Sequence, residues 1–303
     1  MKVLLIGLGS IGTKHVNALV KLIPAAKVQA LRSSKDAAPF PGVENIYAWE
    51  EASQPDWVLI SNPTFQHAEA ISKALRFQCP LFIEKPVVNQ VEEGAALLSE
   101  IKNSGIPTYV ACNLRFLEGL RFVKDYLTNT SQQVLEVSSY CGSYLPDWRI
   151  GQDFRVGYSA SISKGGGVRR DLIHEADYLY WLFGAPTNHQ HVHTSASPLE
   201  IEAEDYAHYL WQYPNFTATI TLNYFRKQAK RELEIVLEEE ILRLDLRQNK
   251  LWVNEQEVFS AAQRIGDTYT EQLQYFFSVI EGEVKGMNDF EEAMQVLRLA
   301  LPS

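Results

Sequence analysis

Two segments of the sequence carry side chains that could move a proton. Lys85 follows an apolar run and precedes Pro86. A lysine at the end of a buried strand is partly shielded from water, so it can exchange protons near neutral pH or polarise a carbonyl oxygen. Asp171, His174 and Asp177 recur every three residues, which predicts one shared helix face where a carboxylate raises the basicity of the imidazole. These residue types favour proton transfer to or from a hydroxyl group.

Other interpretations of the same residues stay open. Lys85 could be an ordinary surface lysine that follows a strand. The acidic helix face could serve only to form salt bridges with Arg169 and Arg170. A histidine with two carboxylates can also bind zinc, but further His or Cys ligands at a suitable spacing are missing from the sequence. We therefore predict no metal site.

A glycine-rich motif near the start of the chain predicts a dinucleotide site. The apolar run Lys2–Ile6 leads into G-x-G-x-x-G at residues 7–12, where a first strand would turn into a helix over about residues 11–22. The first glycine permits a tight turn, the second lets the backbone approach a pyrophosphate, and the third lets the helix pack on the strand. The helix N-terminus then faces the phosphates. A glycine-rich turn without a ligand is the alternative. The residues predicted to bind the cofactor here are Gly7, Gly9, Ser10, Ile11 and Gly12.

The end of the second predicted strand, residues 27–31, discriminates between the two nicotinamide cofactors. An acidic residue there bonds the ribose 2′-OH of NAD, whereas an arginine accommodates the 2′-phosphate of NADP. No carboxylate precedes Asp36, and two cations and two hydroxyls follow the strand instead. We therefore predict a preference for NADP(H), with NAD possible and a solvated polar turn as the interpretation without a ligand. The predicted contacts are Arg32, Ser33 and Lys35.

The elements that must position these residues alternate between strand and helix over the first part of the chain. Strands are predicted at 56–60, 81–83 and 107–111, and helices at about 65–76 and 90–103. This alternation is typical of a doubly wound parallel sheet, whose ligands lie beyond the carboxyl ends of the strands. Residues that follow Ile6, Ile60, Ile83 and Ala111 should therefore converge on one crevice.

From about residue 120 the pattern changes to consecutive strands, which predicts an antiparallel or mixed sheet. One helix, 168–183, interrupts the strands and ends at Gly184, a residue suited to a C-terminal cap. Two further helices are predicted at about 268–281 and 290–301. The strand candidates are 133–140, 189–193, 206–211, 217–224, 232–237 and 251–253.

The composition limits the partners and the compartment. The chain of 303 residues is long enough for two domains, and its 46% hydrophobic and 21% charged residues are ordinary for a soluble globular protein. The net charge of −9 argues against nucleic-acid binding. No apolar run reaches the ~18 residues of a membrane helix, and the first residues lack the pattern of a signal peptide. Cys79, Cys112 and Cys141 fit neither a disulfide framework nor a zinc motif, so we expect buried free thiols and a cytoplasmic protein.

Taken together, the motifs occur in the order and spacing of a known family. The glycine motif at 7–12, Asn62 with His67, Glu84-Lys85-Pro86, and the helix after Gly165-Gly166-Gly167 resemble the Gfo/Idh/MocA oxidoreductases. The resemblance extends over most of the chain. It implies the α/β class, with an N-terminal Rossmann domain at 1–120 and a C-terminal α+β domain at 121–303. The second domain would carry an open, mainly antiparallel sheet for substrate binding and oligomerisation.

The resemblance also implies a reaction, namely pyridine-nucleotide-linked oxidation or reduction of a sugar, cyclitol or related carbonyl. Lys85 would hydrogen-bond the reacting oxygen beside the nicotinamide, through a Lys–Pro peptide that is often cis in this family. His174 would be the acid/base and Asp171 the carboxylate that assists it. The usual carboxylate lies four residues before the histidine, where this chain has Arg170. Further cofactor contacts implied by the family are Asn62, His67, Glu84 and Asn113.

The segment around residues 145–160 is rich in groups that recognise polar ligands. An aromatic ring can stack on a sugar face, and a guanidinium can pair with a carboxylate or phosphate. An irregular loop pinned by its aromatic residues is the alternative. The candidate substrate contacts are Trp148, Arg149, Arg155 and Tyr158.

We therefore predict an NADP(H)-preferring oxidoreductase acting on a sugar, nucleotide sugar or cyclitol. Two alternatives are an NAD-assisted glycoside hydrolase of the same fold and a non-catalytic NADP(H)-sensing protein. An open sheet leaves one face in need of cover, and the alternating apolar residues Ala218, Ile220 and Leu222 predict a self-complementary surface. We accordingly expect a homodimer or a homotetramer.

Overall fold

The computed structural model describes residues 1–301, which divide into two compact units. The first unit contains Met1–Cys112 and Tyr269–Arg298, and the second contains Asn113–Thr268 and residues 299–301. The strands are β1 (Lys2–Ile6), β2 (Lys27–Leu31), β3 (Val43–Ile46), β4 (Trp57–Ile60), β5 (Leu81–Glu84), β6 (Thr108–Ala111), β7 (Val134–Tyr144), β8 (Asn188–Thr194), β9 (Tyr206–Gln212), β10 (Thr217–Asn223), β11 (Phe225–Leu237), β12 (Ile241–Asp245), β13 (Lys250–Val253) and β14 (Gln256–Ser260). The helices are α1 (Ser10–Leu22), α2 (His67–Ala74), α3 (Val91–Ser104), α4 (Glu118–Asn129), α5 (Val168–Asp171), α6 (His174–Phe183), α7 (Thr268–Ile280) and α8 (Phe290–Ala300).

The first unit is built on a parallel sheet in the order β3-β2-β1-β4-β5-β6. Strand β4 is buried along its whole length, as expected for a strand covered on both faces. The predicted doubly wound sheet is confirmed, and the sequence missed only its short edge strand β3. Because β1, β4, β5 and β6 are neighbours and parallel, their carboxyl ends lie along the same edge, as predicted.

Nearly all of helices α7 and α8, the residues from Tyr269 to Arg298, belong to the first unit, although they come last in the chain. The ring of Phe276 in α7 packs edge-on against Trp57 at 5.2 Å and Phe82 at 5.4 Å between centroids, so it covers apolar strands β4 and β5. The compact units therefore differ from the contiguous ranges 1–120 and 121–303. Residue 120 lies inside α4, whereas the first unit ends directly after β6 and resumes with α7.

The second unit is built on a mixed sheet in the order β14-β13-β12-β11-β7-β10-β9-β8. Within the described residues β7 and β10 pair in parallel and the other neighbours are antiparallel, which confirms the mainly antiparallel sheet. Helix α6 packs on one face, where the hydroxyls of Tyr178 and Ser139 lie 2.5 Å apart. Because both hydroxyls are buried, this bond fixes the helix to the centre of the sheet.

The surface that the sequence predicts for association between copies lies on the wrong face of β10. Ala218, Ile220 and Leu222 are 0%, 0% and 2% exposed, and they lie on the same face as Ser139, beneath the helices. Thr219 and Thr221 occupy the opposite face. Alternation along a strand separates its two faces, but it does not indicate which face the rest of the chain covers.

The predicted helix 168–183 is wrong as a continuous helix. It is two helices, α5 and α6, interrupted at Leu172 and Ile173. Asp171 ends α5 and His174 begins α6, so the predicted face of Asp171, His174 and Asp177 does not belong to one helix. Both interrupting residues are buried, so the break directs two neighbouring apolar side chains into the core. The predicted cap at Gly184 is confirmed, since its N–H donates to the carbonyl of Tyr180.

Within residues 1–301, every helix is too short or too polar to cross a membrane. Cys79, Cys112 and Cys141 are buried and form no disulfide, as predicted, and burial raises the pKa of the Cys79 thiol to about 11.

Candidate functional site

The glycine motif forms a tight loop with one open position. Gly7 has a φ of +86°, and a Cβ there would lie 2.6 Å from Cα of Asn62. A Cβ on Gly12 would lie 2.6 Å from the carbonyl oxygen of Gly7. A Cβ on Gly9 would meet no atom of the described chain within 4 Å. The packing of the loop itself therefore requires Gly7 and Gly12, whereas Gly9 leaves a cradle for a ligand.

The first turn of α1 is suited to an anion. Gly9 is its N-cap, and among the described residues no side chain caps the helix and no acidic residue lies in its first turn. Uncapped N–H groups and the positive end of the helix dipole stabilise a phosphate at such a position. Together with the cradle at Gly9, these residues fit the pyrophosphate of a dinucleotide.

His67 joins the loop after β4 to the turn after β5. Its buried ring has Nδ1 2.9 Å from the carbonyl oxygen of Pro86 and Nε2 3.0 Å from that of Asn62. Burial lowers the pKa of His67, and the carbonyls oppose this shift less strongly, so the neutral ring donates to one carbonyl at a time. Asn62 also lies against Gly7, which connects the glycine loop to the Lys85 turn within the first unit.

On its other side, the Lys85 turn is held by Glu84, which contacts His15, a residue that the sequence analysis did not single out. The Lys85–Pro86 peptide is cis, as the resemblance implied. Glu84 is 8% exposed; its Oε1 lies 2.5 Å from Nε2 of His15, and its Oε2 accepts the backbone N–H of Lys85 at 3.1 Å. His15 is separated from Glu84 by 69 residues, so no local pattern reveals their contact.

The end of β2 carries the cations predicted to recognise a 2′-phosphate. The Arg32 guanidinium donates to Oδ1 of Asn45 at 3.2 Å, and the Lys35 ammonium lies 5.6 Å from the centroid of the Tyr47 ring. Ser33 and Lys35 are exposed. Asn45 is on β3, the strand that the sequence analysis missed, so its hydrogen bond with Arg32 was not predicted.

In the second unit, two ion pairs fix the helix that begins with His174. The Arg231 guanidinium binds both carboxylate oxygens of Glu175, at 2.5 and 2.9 Å. The Arg115 guanidinium binds Asp177 at 2.9 and 2.7 Å, and both side chains are almost fully buried. Paired, bidentate geometry of this kind is what makes buried charges tolerable. Asp177 therefore anchors α6, whereas the sequence grouped it with the acid/base residues.

Asp171 is held by a tyrosine that sequence reasoning also missed. The Tyr224 hydroxyl donates to Oδ2 of Asp171 at 2.6 Å. Burial and the neighbouring carboxylate raise the pKa of Tyr224 well above its ordinary value, so the phenol keeps its proton and remains a donor. The ring of Trp148 packs edge-on against Tyr224 at 5.3 Å. Tyr224 follows directly after β10, and only the tertiary structure brings it to Asp171.

The candidate substrate residues differ in how firmly they are held. Trp148 is 40% exposed, and its Nε1 donates to Oγ of Ser143 at 2.9 Å. The Arg155 guanidinium lies 4.6 Å from the centroid of the Phe154 ring. Arg149 and Arg155 are exposed and Tyr158 is half-buried. The loop is thus pinned by aromatic contacts and still offers a partly exposed indole and two guanidinium groups.

Asn113 lies in the second unit and is engaged by the chain itself. It is 4% exposed, and its Nδ2 donates to Oγ1 of Thr268 at 2.8 Å.

Among residues 1–301, no three His, Cys, Asp or Glu side chains are arranged to hold a metal ion.

Comparison with known proteins agrees with the fold. Residues 1–111 match the profile of an oxidoreductase family with an NAD-binding Rossmann fold, and residues 133–243 match the GFO/IDH/MocA C-terminal domain. Inositol 2-dehydrogenase from Rhizobium meliloti is 27% identical over 190 residues, which cover 59% of this chain and 54% of that protein. Across the curated relatives, the matched part spans between 34% and 54% of their own lengths.

Two solved structures are similar over nearly the whole chain. Levoglucosan dehydrogenase in complex with NADH superposes with a TM-score of 0.85 at 18% identity, covering 99% of this chain and 95% of that one. The WlbA dehydrogenase from Bordetella pertussis, in complex with NADH and UDP-GlcNAcA, has a TM-score of 0.80 at 16% identity and coverages of 98% and 93%. At these identities the likeness establishes the fold alone. The two family profiles cover most of the sequence, and the chain therefore belongs to the Gfo/Idh/MocA family.

Proposed function

We propose that this protein is an oxidoreductase that transfers hydride between NADP(H) and a hydroxyl or carbonyl group of a sugar, nucleotide sugar or cyclitol. The proposal rests on one observation above all. The glycine loop contacts Asn62, and His67 connects Asn62 to the turn that carries Lys85. A loop suited to a dinucleotide and the turn that carries a lysine suited to a reacting oxygen thus pack on opposite sides of the same Asn62–His67 segment.

The residues of this chain would transfer the proton of the reaction and stabilise the charge on the reacting oxygen. A bound nicotinamide supplies or accepts the hydride. Lys85 donates a hydrogen bond to the reacting oxygen and stabilises the negative charge that develops on it. His174 takes the hydroxyl proton during oxidation and returns it during reduction. Asp171, oriented by Tyr224, would assist His174 as its carboxylate partner.

The substrate class follows from the loop around Trp148 and from the named relatives. Inositol, levoglucosan and UDP-GlcNAcA, which appear in those relatives' names, share a polyhydroxylated ring. A partly exposed indole suits such a ring, and Arg149 and Arg155 suit a carboxylate or phosphate on it. Because a chain without disulfides is typical of proteins in reducing compartments, we place the activity in the cytoplasm.

Turnover tests the roles of Lys85 and His174. Nucleotide sugars, free aldoses and inositols are screened by the absorbance of the reduced nicotinamide, with NADP(H) and NAD(H) in turn. On the best substrate, Lys85→Met and His174→Ala should each lower kcat by about 10²–10⁴-fold, the usual contribution of an acid–base group. Asp171→Asn should cost less, because its role is to assist His174. Each variant should bind NADPH within about threefold of the wild type, since none of the three is proposed to hold phosphate.

Lys102→Met is the matched control for Lys85→Met. Lys102 is an exposed lysine on α3 that pairs with Glu291, and its variant should keep wild-type turnover. A Lys85→Met variant as active as Lys102→Met would remove Lys85 from the mechanism. Sugar release without net change in nicotinamide absorbance would instead favour the NAD-assisted glycoside hydrolase.

Cofactor titration tests the preference for NADP(H). NADPH should bind the protein at least severalfold more tightly than NADH, because Arg32 and Lys35 can neutralise the 2′-phosphate. Arg32→Asp should remove or reverse this ratio, with a loss for NADPH of about tenfold or more, the strength of a hydrogen bond to a charged group. Lys21→Asp makes the same charge change on an exposed residue in the last turn of α1 and controls for net charge. Equal affinities in the wild type, or no effect of Arg32→Asp, would contradict the preference for NADP(H).

Light scattering tests the expected homodimer or homotetramer. We propose that copies associate through the face of the second sheet opposite the helices, which carries Thr219 and Thr221. On neighbouring strands this face exposes Leu210 and Val192, whose exposed fractions are 38% and 61%. Leu210→Arg should shift the assembly towards monomers, because it buries a charge in the interface. A wild-type monomer at micromolar concentration would contradict the proposal.

A further inference from the structure

His15 is a fully buried histidine to which the proposed reaction assigns no role. It lies on α1, one turn after the glycine motif, and its ring packs edge-on against Phe82 at 5.0 Å and Tyr269 at 5.3 Å. Its Nε2 lies 2.5 Å from Oε1 of Glu84. This contact joins the helix suited to phosphate binding to the carboxyl end of β5, where Lys85 follows.

The second oxygen of Glu84 continues the connection to Lys85. Oε2 accepts the backbone N–H of Lys85 at 3.1 Å, so two hydrogen bonds on one carboxylate lead from α1 to the lysine backbone. Glu84 is 8% exposed, and its carboxylate has little access to water that could replace a lost partner. Hydrogen bonds to a buried charged group are among the strongest in proteins.

The hydrogen-bond partners of the His15 ring indicate which of its two nitrogens carries the proton. Within the described chain, Nδ1 of His15 is buried and has no hydrogen-bond partner. A doubly protonated ring would bury an N–H without an acceptor, whereas the neutral ring with its proton on Nε2 leaves only a lone pair there. His15 therefore donates through Nε2 to Glu84.

We propose that His15 is a positioning residue for Lys85. It orients the Glu84 carboxylate, and the carboxylate in turn fixes the direction in which the chain leaves β5, so that the Lys85 side chain starts from one defined backbone position. The consequence for catalysis rests on the proposed function, whereas the consequence for the backbone of Lys85 does not. His67, on the carbonyls that follow, restrains the other end of the same turn.

Two amide substitutions separate this role from general packing. The amide nitrogen of His15→Gln can take the place of Nε2, whereas the shorter side chain of His15→Asn cannot reach Glu84. Both place a polar amide in the same buried site, so they share the cost of burying it. Hydrogen exchange of the Lys85 amide, measured relative to the Ile60 amide of β4, should rise about tenfold or more in His15→Asn, the factor expected for one lost hydrogen bond, and stay within about threefold in His15→Gln.

Turnover and cofactor binding give a second readout on the same variants. His15→Asn should lower kcat about tenfold or more while NADPH binds within about threefold of the wild type, and His15→Gln should restore most of the loss. Val16→Ala, at the adjacent buried position of α1, should change neither the relative exchange of Lys85 nor kcat. If no sugar is turned over, the proposed function fails, but the exchange of Lys85 still decides the role of His15.

Three results would overturn the proposal. The first is equal Lys85 exchange in His15→Gln and His15→Asn, and the second is an effect of Val16→Ala as large as that of His15→Asn. The third is a ring ¹⁵N spectrum of the wild type in which the proton of His15 resides on Nδ1. This spectrum needs no variant, so it applies even if His15→Asn does not fold.

Discussion

The turn after β5 has to present a lysine to a ligand while its backbone follows a buried strand, and two buried histidines meet this constraint from opposite sides. His15 acts through the Glu84 carboxylate before Lys85, and His67 acts through the carbonyls after it. Both histidines come from elements that also shape the glycine loop, namely α1 and the segment after β4. The position of Lys85 and the shape of the dinucleotide cradle therefore depend on the same two elements, through hydrogen bonds at the turn and packing at the loop.

In the second unit, two ion pairs fix the helix that carries the candidate acid/base residue. His174 is the first residue of α6, and the helix behind it is fixed by Glu175 with Arg231 and by Asp177 with Arg115. Breaking either pair would leave a buried charge without its partner, at a cost of about 3–5 kcal/mol, so these pairs constrain the helix strongly. The acid/base candidate therefore starts a rigid element, even though its own side chain is only half-buried.

The sequence predicted what depends on local pattern and failed where distant segments meet. The glycine loop and the end of the strand before Lys85 follow from short motifs, the parallel sheet follows from the alternation of strands and helices, and all three were recovered. His15 was missed because a histidine in an amphipathic helix does not reveal a partner 69 residues away. Tyr224 was missed for the same reason, since its bond to Asp171 spans 53 residues. The face of β10 and the unit that receives α7 were misassigned or unassigned, because periodicity identifies an apolar face but not what covers it.

The hydrogen bonds of Glu84 and His67 imply that the chain holds the Lys85 turn in place before any ligand binds. The most direct test is the backbone order parameter of the Lys85 amide, measured by ¹⁵N relaxation on the protein without cofactor. A value near 0.85, equal to that of the sheet and unchanged when NADPH is added, is the expected result. A value below about 0.6 that rises only on cofactor binding would show that the ligand, and not the two histidines, orders the turn.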